Sequence, residues 1–312
     1  MNLVKRITAY VLVAGLLCPA LTSCGVKTET YSINITVPFD DIDFTDGSCH
    51  GISFSSDING TVIVTCGDVE VPEIRVKVDF GGGLKNSRKA KNRKLERDSL
   101  GITHALTDEG ILSVGFIDRT TGNSARSSYN IFKQEFEGVL FSHAQSYVEM
   151  TLPRSFDSFQ ISNYGGQLAA KELCGHVELY TYDDLTAENI AFDASDDNRV
   201  TGEKGVFIST TRYKEKREDA LISSRYGDIT YVMPEPADMQ GRYKADTVEV
   251  LCSEGAVTVD LNGNVCADTH KLDEKKSRQY DYSVAHGALL LDLDDYGNGV
   301  VFTNGRYKRD SD

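Results

Sequence analysis

The sequence contains no tryptophan, only 6 prolines, and no run of apolar residues long enough to span a bilayer comfortably. With 15 tyrosines, 13 phenylalanines and 40% hydrophobic residues beside that scarcity of proline, it does not read as a disordered or low-complexity chain. There is no CxxC pair, which removes the common zinc spacings, and no HExxH, GxSxG or Walker A loop. Its six histidines, His50, His104, His143, His176, His270 and His286, stand in unrelated local contexts with no i, i+4 pair. Helical periodicity is nearly absent beyond the first twenty or so residues. Positive charge is in deficit as well, the formal net charge being −14, and such a surface repels phosphate backbones, so nucleic acid is not an expected partner. No cofactor is expected either.

What is present at the N-terminus reads as an export signal. Lys5 and Arg6 form a basic start, Ile7 to Ala20 is an apolar stretch of signal-peptide length, and Leu21-Thr22-Ser23-Cys24 has the aliphatic, small, small, Cys pattern of a lipobox. A transmembrane helix needs about 20 apolar residues, more than this stretch supplies. The expectation is cleavage before Cys24, acylation of its thiol, and a mature chain held outside the cytoplasm on a bacterial cell membrane or outer membrane. Loss of Lys5 and Arg6 with the leader, and of no acid, takes the net charge from −14 to −16. Cys49, Cys66, Cys174, Cys252 and Cys266 then remain. Cys49 and Cys66 flank one strand-like stretch and Cys252 and Cys266 another, so two local disulfides with Cys174 left over is one reading, and five small buried residues is the other.

From Ser32 onward the dominant period is two. Ile33-Asn34-Ile35-Thr36-Val37, Ile74-Arg75-Val76-Lys77-Val78, Val257-Thr258-Val259-Asp260-Leu261 and Leu289 to Leu293 alternate in the manner of half-buried strands. A second regularity is Gly, any residue, then an aliphatic: Gly60-Thr61-Val62, Gly166-Gln167-Leu168, Gly175-His176-Val177, Gly227-Asp228-Ile229, Gly255-Ala256-Val257 and Gly287-Ala288-Leu289. Glycine suits a corner that needs positive φ, and units of this kind bury their apolar side only by stacking. The expected fold is all-β, a β-helix or β-roll-like solenoid with loop insertions; the alternative is an N-terminal β-sandwich packed on a shorter β-helix. The expected boundaries are a signal peptide at 1–23, a lipidated tether at 24–31, a β-strand-repeat domain at 32–305 with insertions near 81–100 and 119–146, and a polar tail at 306–312.

The stretch Leu152-Pro153 through Ser162-Asn163-Tyr164-Gly165-Gly166-Gln167-Leu168, and the later Ser223-Ser224-Arg225-Tyr226-Gly227-Asp228-Ile229, resembles the adhesin-like β-strand-repeat family of bacterial envelope lipoproteins. The resemblance covers about 150–300 and implies that the expected solenoid is a right-handed parallel β-helix/β-roll-like solenoid with loop insertions, in a membrane-tethered, non-catalytic binding or structural module. Thr181-Tyr182-Asp183-Asp184 departs from the pattern by lacking its glycine.

Four features are candidates for chemistry. Lys85, Arg88, Lys89, Lys91, Arg93, Lys94 and Arg97 form the one strongly basic run, helix-prone from Ser87 to Leu100, which suits either an anionic partner or a solvated surface. Asp292 to Gly297 imitates the start of an EF-hand but has Thr303 where the closing Glu belongs, and Asp193, Asp196, Asp197 and Asn198 form a second acidic loop; both read more simply as turns. Asp183, Asp184 and Asp228, with Arg212 or Arg225, could serve a polysaccharide lyase or hydrolase, the enzyme alternative. Among Tyr164, Tyr180, Tyr182, Tyr213, Tyr226 and Tyr231, the three at 164, 182 and 226 would form an aromatic stack if they hold equivalent corners; exposed, such a stack could hold the sugar rings of a surface polysaccharide, and buried, the simpler reading, it is packing.

Overall fold

The computed structural model describes residues 28–127, 138–193, 197–211, 219–224 and 226–233, and beyond these the strand backbones between 246 and 304. It is an all-β solenoid of two facing sheets with one helix among the described residues. The N-terminal part holds β1 (Thr28–Thr36), β2 (Gly51–Ser56), β3 (Gly60–Gly67), β4 (Glu73–Leu84), helix α1 (Arg88–Ser99), β5 (Leu100–Leu106), β6 (Ile111–Asp118) and β7 (Gln145–Pro153). The central stack follows as β8 (Ser158–Asn163), β9 (Gly166–Lys171), β10 (Cys174–Thr181), β11 (Asp184–Phe192), β12 (Arg199–Gly202), β13 (Gly205–Thr210), β14 (Asp219–Ser224) and β15 (Ile229–Met233). The chain closes with β16 (Asp246–Cys252), β17 (Val257–Leu261), β18 (Asn264–Asp268), β19 (Arg278–Tyr280), β20 (Ala288–Asp294) and β21 (Gly297–Asn304).

From β8 to β17 successive strands alternate between the sheets, and each pairs in parallel with the strand two places on. One turn of the solenoid is therefore a strand from each sheet joined at a corner. The first sheet runs β1-β4-β7-β3-β9-β11-β13-β15-β17-β18. The second runs β5-β6-β2-β8-β10-β12-β14-β16-β21-β20-β19. The parallel stack ends on both sides in antiparallel strands. The β2–β3 turn is inserted between the β6–β7 and β8–β9 turns, so the N-terminal half shares both sheets with the rest and does not form a separate sandwich. β1 already begins at Thr28, within the stretch expected to be tether.

The alternation seen in the sequence becomes ladders of apolar side chains between the sheets. Val114, Phe54, Ile161, Leu179, Val200 and Ile222 lie in register on the inner face of the second sheet. Val148, Val62, Leu168, Leu185, Val206 and Ile229 face them from the first. All are buried, and each such side chain contributes about 1.5–3 kcal/mol by leaving water.

A polar ladder closes one corner. Ser56, Asn163 and Thr181 occupy the same inward position on successive turns, followed by Gly202. Asn163 donates through Nδ2 to the carbonyls of Gly60 at 3.1 Å and Gln167 at 2.8 Å, while Thr181 Oγ1 donates to the carbonyls of Asn163 and Gly166. These bonds satisfy backbone groups that the turn removes from the sheet ladder. The glycines of the repeated unit serve two different needs. Gly60, with φ 150°, and Gly175, with φ 139°, fit the expected backbone. Gly166 is required by close approach, since a Cβ there would stand 2.0 Å from the carbonyl oxygen of Gly60.

Candidate functional site

The outer face of the second sheet carries a trough of about 230 Å³ across β2, β8, β10 and β12. Two outward rows build it. One is Ser53, Gln160, Glu178 and Arg199; the other is Ser55, Ser162, Tyr180 and Thr201, each in register with the next. Small hydroxyl residues from β2 and β8 make a low floor, and the larger side chains of β10 and β12 make a wall. Tyr164, at the corner after β8, leans over this wall and meets the Tyr180 ring at 5.0 Å between centroids, tilted by 42°.

The polar groups are partly pre-set. Glu178 accepts from Gln160 Nε2 at 3.4 Å and pairs with His176 Nε2 at 2.9 Å. Tyr180 donates its hydroxyl to Glu203 at 3.4 Å, and its phenol is pushed up to about 12 by burial and then by the Glu203 carboxylate, so it remains a neutral donor. An aromatic ring flanked by a carboxylate, an amide, a guanidinium and hydroxyls offers an apolar face and directed hydrogen bonds together. Those are the two features a saccharide ring requires of a binding surface.

The expected equivalence of the corner tyrosines holds in backbone terms. The amide of Tyr164 donates to Ser56 O and that of Tyr182 to Asn163 O, the same step one turn apart. Glu203 takes the next such position, bonding Thr181 O, and Tyr226 follows it by bonding Glu203 O. Tyr164, Tyr182 and Tyr226 are all about half exposed, but Glu203 interrupts the column and the ring contact formed is Tyr164 with Tyr180. Tyr231 is a core residue with its hydroxyl 3.2 Å from Thr210 Oγ1, and Tyr213 lies outside the described residues.

The carboxylates considered for catalysis lie elsewhere. Asp184 is in register with Gly205, Asp183 immediately precedes it, and Asp228 immediately precedes Ile229, the register partner of Val206, so all three acids border one edge of the first sheet. Asp183 pairs with Lys204 Nζ at 3.2 Å. Burial, and then the neighbouring Asp183, raise the Asp184 carboxyl above its ordinary range. None of the three lines the trough, and Arg212 and Arg225 lie outside the described residues. Among the described residues no three His, Cys, Asp or Glu side chains converge as a metal site. In the acidic loop, Asn198 is buried and bonds Asp193 and the Val177 amide, and Asp196 lies outside the described residues. Asp292 to Asp294 end β20 and Gly297 opens β21, while Asp295 and Tyr296 lie outside the described residues.

Cys49 and Cys66 are separate buried thiols, the bridge between them not being formed. Cys49 Sγ lies 3.8 Å from Gly51 O, while Cys66 faces the core on β3 and burial pushes its thiol up to about 12. Cys252 and Cys266 lie on β16 and β18, in opposite sheets, and Cys24 lies outside the described residues. The basic run places Lys85 in the turn after β4 and its other cations on helix α1, started by Ser87 Oγ accepting from the Ala90 amide.

Among the described residues, three histidine pairings have no local signal in the chain: His50 with Asp157 at 2.8 Å, His104 with Asp41 at 2.9 Å, and His143 with the buried Glu96 at 2.7 Å. The partners are far apart in the chain. Only the fourth pair, His176 with Glu178, has a local spacing that could have been read in advance.

The chain matches no described family and no curated protein. A solved structure from Clostridium sporogenes, described as a "putative cell adhesion protein", aligns over 75% of this chain and 100% of its own at 10% identity, with a TM-score of 0.35. A likeness of that size carries no argument about this chain.

Proposed function

We propose that this is a non-catalytic binding module of the bacterial envelope, lipid-anchored at Cys24, that holds a surface saccharide in the trough on the second sheet. The observation that carries the reading is the trough itself: a tyrosine pair standing over a row of hydroxyls, with Gln160, Glu178 and Arg199 spaced at the strand separation of about 4.8 Å. A parallel stack holds such rows without loop motion, which suits an extended polymer chain. The lipobox at Leu21 to Cys24 supports the location.

The test is an array of glycans and cell-wall polymers probed with the chain, with product release assayed in parallel. Retention of a saccharide without turnover, lost in Tyr180→Ala, agrees with the proposal. Turnover lost in Asp183→Asn or Asp228→Asn would replace it with the carbohydrate-active enzyme. The anchor is tested separately: Cys24→Ala should block processing and release the protein from membranes, and normal processing with membrane retention would refute it.

A further inference from the structure

The trough makes no use of the basic helix, whose cations divide into two groups. Arg97 donates to Asp98 and stacks over the Tyr31 ring at 5.3 Å. Arg93 turns inward, with its guanidinium carbon 3.4 Å from where a side chain at Gly81 would begin. These two hold α1 against the sheet. Lys85 is 3.9 Å from Glu29. Arg88, Lys89, Lys91 and Lys94 are exposed and pair with no carboxylate among the described residues.

Helix stability does not explain this second group. Arg88 and Lys89 occupy the first turn, which has no acid, where the helix dipole disfavours positive charge. Two large apolar side chains also stand open to solvent among the cations: Leu84, 54% exposed, and Leu95, 55% exposed. Arg88, Lys91 and Leu95 follow the i, i+3, i+7 spacing of one helix stripe. Cations around exposed leucines form a surface suited to a lipid headgroup layer, with the charges at the phosphates and the leucines at the acyl boundary.

Position points the same way. Leu84 is the strand partner of Thr28, the first residue of β1. Thr28 is four residues along the chain from Cys24, a reach of about 14 Å at full extension. We infer that the outer face of α1, with Leu84 beside it, docks on an anionic phospholipid surface and orients the solenoid on its membrane. This surface is distinct from the trough and does not depend on the saccharide reading. Acylation at Cys24 would place it at the bilayer, but binding itself needs no acyl group.

The test uses residues 25–312, which carry every described element and no lipid, sedimented with vesicles of phosphatidylcholine alone or mixed with phosphatidylglycerol. Binding is expected only with phosphatidylglycerol, strongest at low ionic strength and weaker towards physiological salt. Replacing Arg88, Lys89, Lys91 and Lys94 by Ser should weaken it by at least about tenfold at unchanged melting temperature. Leu84→Ser with Leu95→Ser should weaken the part that survives added salt. If the quadruple variant melts early, Lys91→Gln with Lys94→Gln takes its place. Equal binding to both vesicles, full binding by the charge variants, or binding to a soluble anionic polymer but not to vesicles would overturn the inference. Because the chain tested is not acylated, none of these outcomes depends on the anchor at Cys24.

Discussion

Tyr164 and Tyr180 touch although they occupy different kinds of position, one at a corner and the other within the strand of the next turn. Tyr180 lies opposite Ser162, and the small serine leaves space into which the corner ring leans. The pair makes a raised aromatic edge along a floor of Ser53, Ser55 and Ser162.

Tyr164→Ala and Tyr180→Ala should each lower saccharide retention on the array by tenfold or more, on the order of 1.4 kcal/mol. Tyr182→Ala, at an equally exposed corner outside the trough, should leave retention unchanged. Because Tyr164 is half exposed, its loss should cost no more than about 1 kcal/mol of stability in urea unfolding. Equal losses in all three variants would assign the aromatic corner a general surface effect instead.

Asn163 is expected to be among the most sensitive polar positions. It is fully buried and its amide serves two backbone carbonyls, so Asn163→Ala leaves both without that donor at a cost of about 3 kcal/mol. Thr181→Val keeps the volume and removes one hydroxyl, for about 1–2 kcal/mol. Asn163 and Thr181 are partners in register, and Thr181 Oγ1 donates to the backbone carbonyl of Asn163, so the two changes should couple, which a double-mutant cycle in urea measures.

Strand periodicity and corner spacing were legible because each follows from a local rule: side chains alternate, and corners repeat once per strand. Gly60-Thr61-Val62 and Gly166-Gln167-Leu168 accordingly open β3 and β9. The order of turns was not legible, since nothing local in Ile52 or Val62 states that β2 and β3 will lie between β6–β7 and β8–β9. The reason for Gly166 was hidden likewise, because the carbonyl it must admit belongs to Gly60 on another turn. The trough shares that difficulty: Ser53, Gln160, Glu178 and Arg199 become neighbours only through strand register.

The His50–Asp157 pair should make stability depend on pH near neutrality. The hydrogen bond that His50 donates to the Asp157 carboxylate raises its imidazole above the ordinary value, with burial opposing. A histidine raised on folding contributes stability that is complete below about pH 6.5 and is lost as pH rises through the folded value. Asp157→Asn should therefore lower the melting temperature at about pH 5.5 and have little effect at about pH 9. Both side chains are roughly half exposed, so added salt should reduce the difference. Titration of the His50 ring by NMR should show a fall towards the ordinary value in the variant.

Asp184 should behave in the opposite sense and bear on the choice between binder and enzyme. Burial and Asp183 raise its carboxyl, so the folded chain holds that proton more tightly than the unfolded chain does. Stability then falls as pH rises from about 3.9 through the folded value, and the penalty is complete above it. Asp184→Asn should raise the melting temperature at neutral pH, with the gain disappearing below about pH 3.9. A strained carboxylate of this kind is also where a catalytic acid would be kept, at a cost in stability. Since Asp184 lies outside the trough, the binding reading expects saccharide retention to be unchanged in the stabilised variant. A gain in stability accompanied by loss of polymer turnover would instead make the acidic edge, which Asp183 and Asp228 also border, the working site.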